Sequence, residues 1–126
     1  MTRCHSPISY QLHIEIDHAV LVNVGRLGTF LFSAGQYVYT GSAKKNIDAR
    51  VRRHLTGGKA KRWHVDHLLA APHVRITGVT LSGLEECRLN RGTRGAVLFP
   101  GFGSSDCRAG CRSHLKYRGA RHQGEK

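Results

Sequence analysis

The sequence has no long apolar run, and this absence sets the first limits on the protein. A transmembrane helix needs a run of about 18 or more apolar residues, so the sequence predicts none. The polar opening "MTRCHSPISYQLH" lacks the apolar core that a signal peptide needs. We therefore expect a cytoplasmic protein with no membrane partner, and no feature of the sequence indicates its oligomeric state.

Acidic residues are scarce as well. Eight Asp and Glu face 20 Lys and Arg, which leaves a formal net charge of +12 with the nine histidines counted as neutral. A charge of this size favours a polyanionic partner, because the field of the protein attracts negative charge. We predict that this partner is nucleic acid, and we favour DNA over RNA.

The sequence also contains no internal repeat and no low-complexity block. Its 126 residues suit a single domain with one core. We assign residues 1–117 to this domain and predict a disordered basic tail at 118–126. In a cytoplasmic protein the four cysteines are expected to be free thiols or metal ligands rather than disulfides.

The order of the apolar patterns predicts a small α/β domain of the α+β type, with a central, mainly antiparallel sheet flanked by helices. Period-two runs predict strands at 8–16, 19–24, 36–40, 74–82 and 113–117. Helical patterns cover 44–56, 61–70 and 84–91. The first two strands are expected to form a hairpin through Asp17 and His18, and a glycine-punctuated connection follows them.

Two of the predicted helices carry apolar residues that are expected to pack in the core. The first has an apolar stripe spaced four residues apart, formed by Ile47, Val51 and Leu55. The second contributes Trp63, Leu68 and Leu69.

The stretch "QYVYTGSAKKNIDARVRRH" sets tyrosines beside cations. Period two places Tyr37 and Tyr39 on one face of a strand, while Arg50 and His54 lie four apart on the following helix. Hydrolysis of a phosphodiester needs a cation beside the phosphate and a group that deprotonates water, and it often needs a divalent metal. These tyrosines, arginines and histidines suit the first two tasks, and a carboxylate must come from elsewhere.

Several motifs carry a resemblance to a known superfamily. "SYQLHI", "VYTGSAKK" and "ARVRRH", in that order, resemble the GIY-YIG nucleases, although the first motif here reads Ile8-Ser9-Tyr10. The longer series "VGRLGTF", "AGQYVYTGSA", "RWHVDHLL", "LEEC", "GFGSSDCR" and "CRSHL" resembles a stand-alone branch of that superfamily. This resemblance spans about residues 8 to 117.

The resemblance implies a metal-dependent endonuclease that hydrolyses phosphodiester bonds of nucleic acid. The implied catalytic residues are Tyr10, Tyr39, Arg50, His54 and Glu86, and Gly41 belongs to the second motif. Glu86 would hold Mg²⁺ or Mn²⁺, with Glu85 as the alternative ligand, and Tyr37 competes with Tyr10 for the role of general base. Two other interpretations stay open: a catalytically weak or inactive GIY-YIG-like domain that binds DNA or RNA, and a small zinc-stabilised interaction domain.

A group of mostly basic residues brackets the proposed site. Phosphate contacts from such residues are salt-sensitive and independent of base sequence. The predicted nucleic-acid-binding residues are Tyr37, Lys44, Lys45, Arg53, Lys59, Lys61, Arg62 and His64. For His64 the alternative is a hydrogen bond to the Asp66 carboxylate.

The late segment "CRAGCRSH" combines three soft ligands within eight residues. Cys107, Cys111 and His114 form a possible zinc site, to which Cys4 or Cys87 could add a fourth ligand. The three residues between the two cysteines exceed the more usual two, so free thiols remain the competing interpretation.

Overall fold

A computed structural model of the chain describes residues 8–43, 46–56, 64–103, 111 and 113–119. Within these ranges the strands are β1 (Ser9–Ile16), β2 (Val20–Asn23), β3 (Thr29–Phe32), β4 (Gly35–Ser42), β5 (Val74–Ser82) and β6 (Leu115–Gly119). The helices are α1 (Ile47–Thr56), α2 (His64–Leu69) and α3 (Glu86–Arg91), and a 3-10 turn spans Gly25–Leu27. None of the helices in these ranges combines the length and the apolar character needed to cross a bilayer.

Four strands form the central sheet in the order β5-β1-β4-β6, and every neighbouring pair is antiparallel. The predicted α+β fold with an antiparallel sheet is therefore confirmed. β2 and β3 form a separate two-stranded sheet beside it.

The predicted hairpin between the first two strands is wrong. Both edges of β1 are occupied, one by β4 and the other by β5, so β2 pairs with β3 instead. The turn between β2 and β3 needs glycine, because Gly25 and Gly28 have φ angles of 57° and 118°. Asn23 holds this turn by donating to Thr29 Oγ1 at 2.9 Å and accepting from the Gly25 N–H at 3.1 Å.

The main core lies against one face of β1. Alternate residues Tyr10, Leu12, Ile14 and Ile16 are buried on this face, as period two predicts, and the polar residues Ser9, Gln11 and Glu15 of the other face are buried as well. The buried residues that pack with them come from α2, β3, β4 and the segment around Phe102. Burial of each large apolar side chain contributes about 1.5–3 kcal/mol, which makes this face the main stabilising layer.

The apolar stripe predicted for α1 is correct at two positions and wrong at the third. Ile47 and Val51 pack against the core, but Leu55 is 55% exposed. His54 is the buried residue of α1, because Tyr10 and Asp66 lie close to its ring. In α2, Leu68 is buried and Leu69 partly buried as expected, and Val65 is a further buried residue.

Polar contacts fix α3 to the sheet. The Gln11 side chain of β1 donates to Thr40 Oγ1 at 3.1 Å and to Thr93 Oγ1, just beyond α3, at 2.6 Å. At the other end, the Asn90 amide donates to the Ser113 carbonyl at 2.8 Å, and Lys116 Nζ donates to the Asn90 carbonyl at 2.8 Å. These bonds hold the helix that carries Glu86 beside the end of β4 and the start of β6.

The last strand runs further than the sequence pattern indicates. Arg118 and Gly119, which the prediction assigned to the tail, belong to β6. The remaining tail, 120–126, and the predicted core residue Trp63 lie outside the described residues.

Candidate active site

Tyr10 and Gly41 face each other across β1 and β4. A Cβ atom added at Gly41 would lie 2.5 Å from the Tyr10 hydroxyl oxygen and 2.6 Å from Cζ of its ring. Residue 41 must therefore lack a side chain for the Tyr10 phenol to lie over β4. This contact gives a physical reason for the glycine that follows "YVYT" in the sequence.

The Tyr10 hydroxyl lies 2.8 Å from Nε2 of His54, which α1 carries across the sheet. The two rings are tilted by 45°, with their centroids 5.4 Å apart. On the far side of the imidazole, Asp66 Oδ1 of α2 lies 3.7 Å from Nδ1. The same carboxylate oxygen accepts a hydrogen bond of 3.0 Å from Arg53.

Burial and the surrounding charges determine the protonation of His54. Burial lowers the pKa of His54 to about 4, with Arg53 and Arg50 adding to the effect and Asp66 opposing it. The imidazole is therefore neutral near pH 7. Its proton is favoured on Nδ1, beside the Asp66 carboxylate, so Nε2 accepts the hydrogen bond from Tyr10.

The two phenols of the site are both protonated at neutral pH. Burial raises the pKa of Tyr10 to about 12, although the charge and hydrogen bond of Arg50 oppose the shift. Burial also raises the pKa of Tyr39 well above its ordinary value, and the charges of Tyr10 and Glu86 add to this effect. Tyr39 lies with its ring edge toward His54, at a centroid distance of 6.3 Å.

Ser42, the last residue of β4, joins the predicted arginine to the predicted glutamate. Its backbone carbonyl accepts a hydrogen bond of 2.9 Å from Arg50 Nη1, and its hydroxyl donates to Glu86 Oε1 at 2.8 Å. Arg50 is therefore held at the end of β4, where it affects the pKa values of Tyr10, Tyr39 and Glu86.

Glu86 has a second partner in His114, whose Nδ1 lies 2.6 Å from Oε2. Burial acts to raise the pKa of Glu86, but the hydrogen bonds from His114 and Ser42, together with the charge of Arg50, lower it below its ordinary value. The carboxylate is thus ionised at neutral pH. The alternative, Glu85, is exposed and makes no side-chain cap bond at the start of α3.

The structure brings the five predicted catalytic residues to one end of the sheet, at the junction of β1, β4, α1 and α3. Their roles in catalysis stay predictions. The two phenols are nearly inaccessible in this conformation, since Tyr10 is 2% and Tyr39 is 6% exposed.

Most of the chain matches one protein family. Residues 9–126 match the family model described as Domain of unknown function DUF123. The chain belongs to this family. No curated protein and no solved structure is significantly similar to it. Membership of the DUF123 family does not test the resemblance to GIY-YIG nucleases, which still depends on the sequence motifs.

Tyr37 of this DUF123 domain lies on β4 five positions before Ser42, to which Arg50 and Glu86 are bonded. It is buried, its hydroxyl donates to the Ser33 carbonyl at 2.8 Å, and its ring packs on Phe32 and Tyr117. Tyr37 and Tyr39 do share a face as predicted, but that face is covered. Tyr37 is therefore a core residue bonded to Ser33, and its contact with nucleic acid and its role as general base stay predictions.

Two other predicted nucleic-acid-binding residues have partners within the DUF123 domain. Arg53 pairs with Asp66, and His64 Nδ1 accepts a hydrogen bond of 2.8 Å from the Gly103 N–H while its ring contacts Phe102. The remaining predicted contacts lie outside the described residues; they are Lys44, Lys45, Lys59, Lys61 and Arg62.

Sequence reasoning missed Ser42 and the role of Asp66. Ser42 stands directly after the glycine that admits Tyr10, so its backbone carbonyl meets α1 and its hydroxyl meets α3. Asp66 was weighed only as a partner of His64, because these residues are two apart in one helix. Its approach to Arg53 and His54 comes from the packing of α2 on α1.

Proposed function

We propose that this DUF123 domain is a metal-dependent endonuclease that hydrolyses phosphodiester bonds of nucleic acid. The observation that carries the proposal is the hydrogen bond of 2.8 Å between the Tyr10 hydroxyl and a neutral His54. A proton acceptor of this kind is what the activation of water requires, and Arg50 and Glu86 adjoin it.

The proton path follows from the two pKa shifts. A phenol with a pKa of about 12 is a poor base by itself at neutral pH. Tyr10 can still take a proton from water if it passes its own proton to His54 Nε2 at the same time. The resulting hydroxide attacks the phosphorus, the bond from phosphorus to the leaving oxygen breaks, and solvent protonates that oxygen. Asp66, near Nδ1, would stabilise the imidazolium that forms.

Arg50 supplies the positive charge that a phosphoryl transition state needs. Its guanidinium is held by the Ser42 carbonyl and lies close enough to lower the pKa values of Tyr10 and Glu86. A guanidinium can donate several hydrogen bonds in one plane, so Arg50 can keep the bond to Ser42 and still reach a phosphate oxygen. Fixed donors of this type contribute roughly 10²–10³-fold to the rate in other enzymes.

Glu86 is the residue that would hold Mg²⁺ or Mn²⁺. The residues present fit such an ion, because the carboxylate is ionised at neutral pH and hard oxygen ligands suit these metals. Its two oxygens each accept one hydrogen bond, from Ser42 and His114, and each oxygen retains a second lone pair for a ligand bond. The bound ion would neutralise charge on the leaving oxygen.

Nucleic acid is the proposed substrate, with DNA favoured over RNA. The support is the net charge of +12 and the position of Arg50 and Arg53 on the helix that carries His54. Exposed Arg52 on the same helix adds a cation that can meet a neighbouring phosphate. Contacts of this kind are electrostatic, so they would position a strand without reading its sequence.

One observation favours the alternative of a DNA- or RNA-binding domain without catalysis. The hydroxyls of Tyr10 and Tyr39 belong to side chains that are 2% and 6% exposed, so water reaches them only if the site opens. In this alternative the tyrosines are core residues, and the charged surface alone carries the function.

Nicking of supercoiled plasmid in the presence of Mg²⁺ or Mn²⁺ distinguishes the two functions. We expect the wild-type chain to nick and Arg50→Ala to lose about 100-fold or more in rate. Arg118→Ala is the matched control, because this exposed arginine lies in β6 and near His13, outside the site. Wild-type protein that binds plasmid but nicks it no faster than Arg50→Ala does would leave the binding function and exclude the nuclease.

A further inference from the structure

We propose that Cys87, Cys111 and His114 form a zinc site on the side of Glu86 remote from Ser42. One ligand atom of each residue lies within 4.8 Å of the ligand atoms of the other two. The residues come from two parts of the chain: α3 carries Cys87, and the segment before β6 carries Cys111 and His114. The set predicted from the sequence was Cys107, Cys111 and His114, with Cys4 or Cys87 as an additional ligand. Cys107 and Cys4 lie outside the described residues.

The distances suit zinc after small side-chain rotations. Bond lengths of about 2.3 Å for Zn–S and about 2.0–2.1 Å for Zn–N place the ligand atoms of a tetrahedral site about 3.5–3.8 Å apart. Because the ligand atoms lie within 4.8 Å of one another, movements of about 1 Å or less bring them to this spacing, and rotation about the side-chain bonds of the cysteines can supply them. Both cysteines are of intermediate exposure, so a metal can reach them.

The histidine of this set has the partner that a zinc ligand usually has. Metal-binding histidines donate their second ring N–H to a carboxylate or carbonyl, which fixes the ring and its tautomer. His114 Nδ1 lies 2.6 Å from Glu86 Oε2, so this nitrogen carries the proton and Nε2 carries the lone pair for a metal. Glu86 therefore acts as the positioning residue of the zinc site.

The backbone around His114 is held on both sides. Its N–H donates to the Phe102 carbonyl at 2.8 Å, and its carbonyl accepts from the Thr40 N–H at 2.9 Å. The Asn90 amide ties α3 to the Ser113 carbonyl next to it at 2.8 Å. His114 is thus fixed to α3 before a metal binds, as a preorganised ligand requires.

The donor set selects the metal. Two thiolates and an imidazole favour Zn²⁺ over Mg²⁺ or Ca²⁺, which prefer oxygen ligands. Three ligands leave a fourth tetrahedral position for water or another donor. Zinc bound here would fasten α3 to the segment before β6 and hold His114, and through it Glu86, in place.

Metal titration of the purified full-length chain tests the site. After removal of metals with a chelator and exchange into chelator-free buffer, we expect one equivalent of Co²⁺ to produce a thiolate-to-cobalt charge-transfer band, which Zn²⁺ then abolishes. Cys87→Ser and Cys111→Ser should each reduce the band by about half or remove it, since two thiolates contribute. Glu86→Gln should weaken zinc affinity by about 10–100-fold, the usual effect of losing the partner of a metal-bound histidine.

A matched control uses the exposed group of Asp17, His18 and His73, whose ligand atoms also lie within 4.8 Å of one another. His73→Ala should leave the band and the zinc affinity unchanged. If the cysteine variants fail to fold, alkylation of the wild-type chain tests the zinc site instead. Zn²⁺ should protect Cys87 and Cys111 together from alkylation, as mapped by mass spectrometry. An absent charge-transfer band, or zinc that leaves these two thiols fully reactive, would overturn the proposal.

These measurements involve no nucleic acid and no cleavage reaction. The zinc site therefore does not depend on the proposed nuclease function, and either proposal can fail while the other holds.

Discussion

The hydroxyl of Tyr10 and Nε2 of His54 lie 2.8 Å apart although 44 positions separate the residues in the chain. β1 and α1 supply the two side chains, and Gly41 on β4 leaves the space in which the phenol lies. Because burial makes the histidine neutral and keeps the tyrosine protonated, the direction of the hydrogen bond is set, from phenol to imidazole.

The first prediction concerns the proton relay. Tyr10→Phe and His54→Gln should each lower the nicking rate by about 10²–10⁴-fold, the usual contribution of general acid–base catalysis. Because both residues act in one transfer, the double variant should be about as slow as the slower single variant. Rates from single-turnover nicking with Mg²⁺ measure this.

Tyr37→Phe is the matched control for the relay, since the Tyr37 hydroxyl bonds to Ser33 in the core and not to the site. It should keep the wild-type nicking rate while losing roughly 0.5–1.5 kcal/mol of stability. If the rate loss of the double variant equalled the product of the two single losses, Tyr10 and His54 would act independently.

The second prediction concerns the glycine beneath Tyr10. Gly41→Ala should reduce the free energy of unfolding by about 1–3 kcal/mol, because its methyl group would overlap the buried phenol at 2.5–2.6 Å. Gly78→Ala, on the other neighbour of β1, is the control: its Cβ would meet His13 at an ordinary 3.7 Å. Urea denaturation compares them, and equal stabilities would contradict the packing described for Tyr10.

The third prediction is a pH dependence of stability. The pKa of His54 is about 4 in the folded chain and near 6.5 when unfolded, so the unfolded chain binds the extra proton between these values. Stability from the neutral imidazole is complete above about pH 6.5 and is lost as the pH falls to about 4, by roughly 3 kcal/mol.

Urea denaturation of the wild-type chain and of His54→Gln from pH 7.5 to pH 4 isolates this effect, because every other histidine is common to both. The stability difference between the two proteins should shrink toward acid pH, since only the wild-type chain loses this contribution there. A constant difference across that range would show that His54 titrates normally in the folded state.

The fourth prediction concerns nucleic-acid binding, which the nuclease and the binding domain share. Affinity for double-stranded DNA should fall linearly with salt on a log–log plot, with a slope of about −0.9 for each phosphate contact. Arg52→Ala should reduce the size of this slope by about 1 at any DNA sequence, and Arg118→Ala should leave it unchanged. Fluorescence anisotropy at several salt concentrations measures both, and a salt-independent affinity would exclude the electrostatic surface.

Much of the local structure follows from the sequence pattern. Period two in residues 8–16 and 74–82 located β1 and β5 to within one residue, because alternation between core and solvent is a local property of a strand. The same argument predicted the last strand near 113–117, which the structure places at Leu115–Gly119. The motif resemblance selected the five residues that the fold gathers at one end of the sheet.

The partners of β1 and the buried residue of α1 could not be predicted from the local sequence pattern. The pattern favoured pairing of β1 with β2 because they are neighbours in sequence, but β4 and β5 occupy both edges of β1. In α1 the pattern favoured Leu55 for the core, but the polar partners of His54 bury that residue instead. Each outcome depends on residues distant in the chain, which compete for the same position.

The sequence by itself determined the positive charge, the strand periodicity and the identity of the polar groups that chemistry on a phosphate would need. Those features are properties of single residues or of short repeats. Only the tertiary structure decided that Glu86 rather than Glu85 meets Ser42 and His114, that Tyr37 is a core residue, and that Cys87 joins Cys111. The physical reason is that such contacts are settled by packing between distant segments, where a shift of one residue turns a side chain from the site to solvent.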